Sequence, residues 1–96
     1  MFEVRQTEKF KNWLGDLRDS NARARIAARI RRAELGNFGD VESVGEGVSE
    51  MRIHYGPGYR VYFVQADREI YVLLCGGDKS SQNRDITVAK EMAKDL

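Results

Sequence analysis

Two runs of alternating side chains, separated by Gly56-Pro57-Gly58, constrain this chain more than anything else in it. Met51, Ile53 and Tyr55 alternate with Glu50, Arg52 and His54, and Tyr59, Val61 and Phe63 alternate with Arg60, Tyr62 and Val64. A period of two marks a half-buried strand, and the glycine-proline turn between the runs predicts an antiparallel hairpin over residues 48–65. Facing residues of such a pair share one side of the sheet. A three-residue loop at 56–58 would set Tyr55 opposite Tyr59, His54 opposite Arg60 and Arg52 opposite Tyr62. One face then shows Arg52, His54, Arg60 and Tyr62, and the other an apolar set suited to receive helices. A two-residue loop would put Arg52 opposite Phe63, so the side-chain pattern favours the longer one.

The flanking segments fill in an order β-α-α-β-β-β-α. Phe2 to Arg5 alternates as a short strand, and Thr7 can cap a helix whose apolar stripe is Phe10, Trp13, Leu14 and Leu17. Ser20 or Asn21 can cap a second helix with Ala22, Ile26, Ile30 and Ala33 inward and Gly36 at its end. Asn37 to Gly47 is rich in glycine and acids and reads as an irregular connection. After the hairpin, Asp67-Arg68 turns the chain and Ile70 to Cys75 is continuously apolar, as a strand covered on both sides should be. Asp78 or Ser80 then caps a last helix bearing Ile86, Ala89, Ala93 and Leu96. The expected fold is α+β in a single domain spanning 1–96, with a two-helix hairpin on a mostly antiparallel four-stranded sheet. Whether the first strand pairs in parallel stays open.

Composition removes several classes. Cys75 is the only cysteine and His54 the only histidine, so neither a disulfide framework nor a thiolate zinc centre is available within one chain. No apolar stretch is long enough to span a membrane, and the first ten residues carry charges in place of a signal-type apolar run, which predicts a cytoplasmic protein. The net charge of +1 conceals an asymmetry: residues 1–37 hold nine Lys/Arg against five Asp/Glu. Eleven of the 16 basic residues are arginine, whose planar fork suits phosphate and carboxylate. Arg23, Arg25, Arg29, Arg31 and Arg32 on the second helix read as a solvated face that also attracts a polyanion.

Candidate chemistry sits on the hairpin. Like charges this close cost stability unless an anion lies between them. Arg52 and Arg60 can clamp a phosphate, with Tyr62 offering a ring or a hydroxyl; the bland alternative is a solvated face whose arginines pair with Glu50 or Glu69. Gly76 to Gln82 follows a strand and opens a helix, where free amides favour anions and Lys79 could join the phosphate; it lacks the order of a Walker loop and is equally a plain glycine-rich turn. His54 has a reference pKa near neutrality and is a candidate general base or a polar rim residue. Cys75 and Trp13 are expected in the core.

The segments Glu50 to Phe63 and Leu73 to Gln82, the latter followed by Asp85-Ile86, resemble the RelE/ParE toxin superfamily, and within it the addiction module killer proteins of HigB/RelE-like type. The likeness covers essentially the full length. It implies the RelE-like version of the fold above, and the toxin of a type II toxin–antitoxin system. Such a protein works without metal or cofactor as a ribosome-dependent mRNA endoribonuclease, in which a ribose 2′-hydroxyl attacks the scissile phosphate. The implied partners are a cognate antitoxin encoded by the adjacent gene, a helix-turn-helix protein through which alone operator DNA is bound, and the ribosome with its mRNA. Arg60 matches the strand arginine that holds the scissile phosphate, Arg52 a basic residue of the preceding strand, and Lys79 the basic segment after the last strand. Tyr62, Gln82 and Arg84 are the implied substrate-binding residues, while His54 has no counterpart. The chain departs from the pattern in lacking any aromatic residue after Ser80, where RelE-like enzymes often carry a stacking tyrosine. The ParE branch, which inhibits DNA gyrase by binding alone, is the alternative.

Overall fold

The computed structural model describes residues 1–96 as an α+β fold in which an open, mixed five-stranded sheet carries helices on both faces. The strands are β1 (Glu3–Gln6), β2 (Val41–Gly45), β3 (Val48–Ile53), β4 (Tyr59–Asp67) and β5 (Ile70–Gly77), in spatial order β1-β5-β4-β3-β2. The helices are α1 (Glu8–Asp16), α2 (Ser20–Glu34) and α3 (Gln82–Lys94). β1 lies parallel to β5, and every other pairing is antiparallel. No helix is long and apolar enough to cross a membrane.

Three expectations need correction. The sheet has five strands, because part of the segment expected as an irregular connection forms β2. Its alternation is hidden by a register shift between Ser43 and Gly45, and it is a half-exposed edge strand. The β3–β4 register differs by two residues: Ile53 faces Tyr59, Arg52 faces Arg60 and Glu50 faces Tyr62. A shift of two keeps every strand residue on its expected face, but it frees residues 54–58 as a wider loop. Tyr55 leaves the strand because its hydroxyl donates to Asp19 and Arg25 lies over its ring, 4.5 Å from the centroid. Finally, α1 and α2 make their main contacts with the sheet, α1 on β5 and α2 on β1 and β3, more than with each other.

Local signals otherwise hold. The Thr7 hydroxyl accepts from the Phe10 amide at the start of α1. α2 is capped by Asp19, one residue before the expected caps, with its carboxylate accepting from the Asn21 and Ala22 amides. Asp78 caps a short 3-10 turn, Lys79–Ser81, that leads into α3.

Two cores sit on the two faces. Phe10, Ile26, Ile30, Met51, Val61 and Phe63 are buried under α1 and α2. Val48, Tyr62, Val64, Val72, Leu74 and Ala89 are buried under α3. The sheet face expected to be basic and open is therefore covered over much of its area by α3.

Candidate functional site

Glu50 organises the site. Its side chain on β3 is 1% exposed, and four side chains converge on it. Arg52 Nε donates to Oε1 at 3.0 Å; the Tyr62 hydroxyl and Gln82 Nε2 each donate to Oε2 at 3.0 Å; Arg60 Nε lies 3.5 Å from the same oxygen. β3 and β4 supply the pairing that brings the two arginines opposite one another, and the first turn of α3 supplies Gln82. Burial pushes the Glu50 carboxyl up, yet the bonds from Arg52, Gln82 and Tyr62 with the charge of Arg60 outweigh it and hold it below the ordinary glutamate value. The same carboxylate, together with burial, drives the Tyr62 phenol far upward. The anion that two facing arginines require is thus part of the chain.

Sequence reasoning saw Glu50 only as a possible surface partner. Its place in the alternation, on the arginine face two residues before Arg52, was the available signal. Only the helix that closes over that face makes it a buried hub.

The remaining candidates divide. The Arg60 guanidinium is 14% exposed; Nη1 donates to the Gly58 carbonyl at 2.9 Å, while the buried Nε has no hydrogen-bond partner. Arg52 is more open and also pairs with Glu42 at the rim. Lys79 is exposed and adjoins the same corner: its amide donates to the Pro57 carbonyl, and a side chain at Gly58 would fall between Arg60 and Lys79. Gly58 has a φ of +79°, so glycine there meets both a backbone and a space requirement. Tyr62 has no exposed surface and offers no open ring face. Arg84 is exposed on α3 and makes no ion pair. His54 stands apart. It lies past the end of β3, 76% exposed, 2.6 Å from Asp40, and lines a cavity with Arg25, Arg29 and Arg32 of α2. The structure brings together Arg52, Arg60, Tyr62 and Gln82, with Lys79 at their edge, and leaves out His54.

The Gly76-Gly77 pair has a steric reason. A Cβ on Gly76 would sit 2.4 Å from the Trp13 ring, and one on Gly77 would sit 1.8 Å from Asp85 Oδ2. Asp85 is itself held by the Ser81 hydroxyl at 2.5 Å. Cys75 is buried, and burial pushes its thiol up to about 11. No three His, Cys, Asp or Glu side chains gather as a metal-binding group.

Compared with known proteins, residues 12–94 match the family described as phage derived protein Gp49-like (DUF891). The chain belongs to that family, a toxin-like family of the kind found in addiction modules. It is also 47% identical over 94 residues to an uncharacterized protein of Haemophilus influenzae, a match covering 98% of this chain and 95% of that one.

Proposed function

We propose that this chain is the toxin of a toxin–antitoxin pair and cleaves ribosome-bound mRNA without a metal ion. The observation that carries the reading is the held guanidinium of Arg60. It is fixed from one side by the Gly58 carbonyl and from the other by Glu50, at a corner that Lys79 shares. A pre-oriented cation of this kind stabilises charge that develops in a transition state without reorganising first. In the reaction proposed, the ribose 2′-oxygen attacks phosphorus and the bond to the 5′-oxygen breaks. The 2′-hydroxyl loses its proton and the 5′-oxygen gains one, leaving a 2′,3′-cyclic phosphate and a free 5′-hydroxyl. Arg60 and Lys79 meet the phosphorane charge, Arg52 holds the adjoining phosphate, and Glu50, Tyr62 and Gln82 position the arginines.

The test is Arg60→Ala. Growth arrest should disappear while the fold and antitoxin binding persist, with cleavage down ~10²–10³-fold. A folded Arg60→Ala chain that arrests growth like the wild type sinks the reading. His54→Gln should stay within about threefold of wild type, since its imidazole is committed to Asp40 away from the arginines.

One observation favours the ParE-like reading, inhibition of gyrase by binding alone: both arginines are already paired to a carboxylate within the chain. Induction separates the two, translation arrest pointing to mRNA and double-strand breaks to gyrase. For either, the partner expected is an antitoxin from the adjoining gene with an acidic or amphipathic segment, supplying operator binding through a helix-turn-helix.

A further inference from the structure

β1 covers the outer edge of β5 only as far as Leu73. Beyond that point α1 and α3 flank the uncovered edge, and between them lies a cleft of about 560 Å³ floored by Gly76 and Gly77. Its wall from α1 carries Lys9 and Trp13, and its wall from α3 carries Arg84 and Asp85. Gly77 on its floor is the direct partner of Arg60 on β4, so the cleft begins one strand away from the guanidinium discussed above.

The cleft is chemically unfinished. Lys9 and Arg84 are exposed cations with no ion pair. Asp78 uses only Oδ1, accepting from the Ser80 amide and hydroxyl, and Asp85 uses only Oδ2, accepting from Ser81. Each carboxylate keeps a second oxygen without a bond. Trp13, half-buried, puts its ring against the Gly76 backbone, where any other residue would expel it. An aromatic ring, two unengaged acceptor oxygens and two free cations at the mouth form a set that one kind of ligand uses whole. The ring takes a flat heterocycle, the acceptors take its exocyclic amino group, and the cations take an attached phosphate.

We infer that this cleft is a nucleotide subsite: it receives one base of a single-stranded RNA on Trp13, prefers a base bearing an amino group over uracil, and holds the neighbouring phosphate with Lys9 and Arg84. The inference rests on the RNA-cleaving reading for its biological meaning and deepens it, since it names where the nucleotide beside the scissile phosphate goes. Binding in the cleft is nevertheless measurable without any cleavage.

Trp13 is the only tryptophan, so its emission reports occupancy directly. The intact chain is titrated with 2′-O-methylated trinucleotides of adenine, guanine, cytosine or uracil, which lack the attacking hydroxyl, and with inorganic phosphate. A saturable change in emission is expected with the first three and at least about fivefold weaker binding with uracil, from loss of one hydrogen bond to a carboxylate. Phosphate alone should give no change. Arg84→Ala should weaken binding about tenfold, and it is a surface change that leaves folding intact. An emission blind to every trinucleotide overturns the inference, and so does equal affinity for all four with no loss in Arg84→Ala. A response only to the protein of the adjoining gene would make the cleft a protein contact and overturn it too. A chain that cuts mRNA but fails this titration refutes the cleft alone. A chain that binds trinucleotides here yet spares mRNA refutes the nuclease reading alone.

Discussion

Arginine is concentrated in two places, helix α2 and the β3–β4 pair, and the two use it differently. On α2, Arg29 is a strap: its Nη1 donates to the Arg52 carbonyl at 2.5 Å and its Nη2 to the Phe38 and Asp40 carbonyls at 3.0 and 3.4 Å. It ties the helix to the chain entering β2, and burial lowers its pKa. Arg23 donates to the Leu17 carbonyl, Arg25 lies over Tyr55, and Arg31 pairs with Glu34. On the sheet, Arg52 and Arg60 meet a carboxylate instead of carbonyls, and each reaches the surface beside the other. Five arginines in eleven residues look like the richer polyanion site, yet most of them are occupied with holding the helix down. What a guanidinium already touches decides its role better than how many lie nearby.

The largest effect should come from breaking the sheet network at its centre. Glu50→Ala leaves two facing arginines with no anion, and removing one partner of a buried ionic group costs ~3–5 kcal/mol. Urea unfolding should show that loss, and a Glu50→Ala chain as stable as wild type would mean that the arginines do not depend on it. Next comes the strap. Arg29→Ala frees three carbonyls at the α2–β2 junction and should cost about 2–3 kcal/mol, with no loss of RNA cleavage beyond that expected from instability. A selective loss of cleavage would return α2 to the status of a binding surface.

The acid limb of stability sharpens the comparison further. Glu50 has a folded pKa below its unfolded one, so its contribution is complete above the ordinary glutamate range and is lost as pH falls through the folded value. Unfolding followed from pH 6 downward should steepen there, and Glu50→Gln should flatten that limb without abolishing it, since Asp78 and Asp40 are also held low by hydrogen bonds. An unchanged profile in Glu50→Gln would remove Glu50 from the acid response. The smallest effect is expected at Arg32, exposed and without a side-chain hydrogen bond or ion pair, where Arg32→Ala should move stability by no more than ~0.5 kcal/mol.

Much of the architecture was legible in the amino-acid pattern because period and capping are local. Thr7, the alternation in β3 and β4 and the apolar run of β5 all meant what they read as. What was missed depends on distant partners. Val41 to Gly45 becomes a strand only because β3 offers it an edge, and a bulge hides its alternation. The hairpin register slipped by two because Tyr55 is drawn away by Asp19 and Arg25, residues more than thirty positions earlier. In the site, Arg60, Arg52 and Lys79 were found by type and spacing, whereas Glu50 and Gln82 were invisible as a pair until α3 folded over the sheet. Tyr62 was read from its face alone, which cannot say whether that face is covered.

The parallel pairing of β1 with β5 has a consequence for how this chain comes into being. Glu3 waits for Ile70, and Glu50 waits for Gln82. During synthesis from the amino end, the first strand and the hub carboxylate both stay unmatched until the closing segments have left the ribosome. The polypeptide is therefore inert for almost the whole time it takes to make it, and acquires its arginine corner only in the final moments of its own translation.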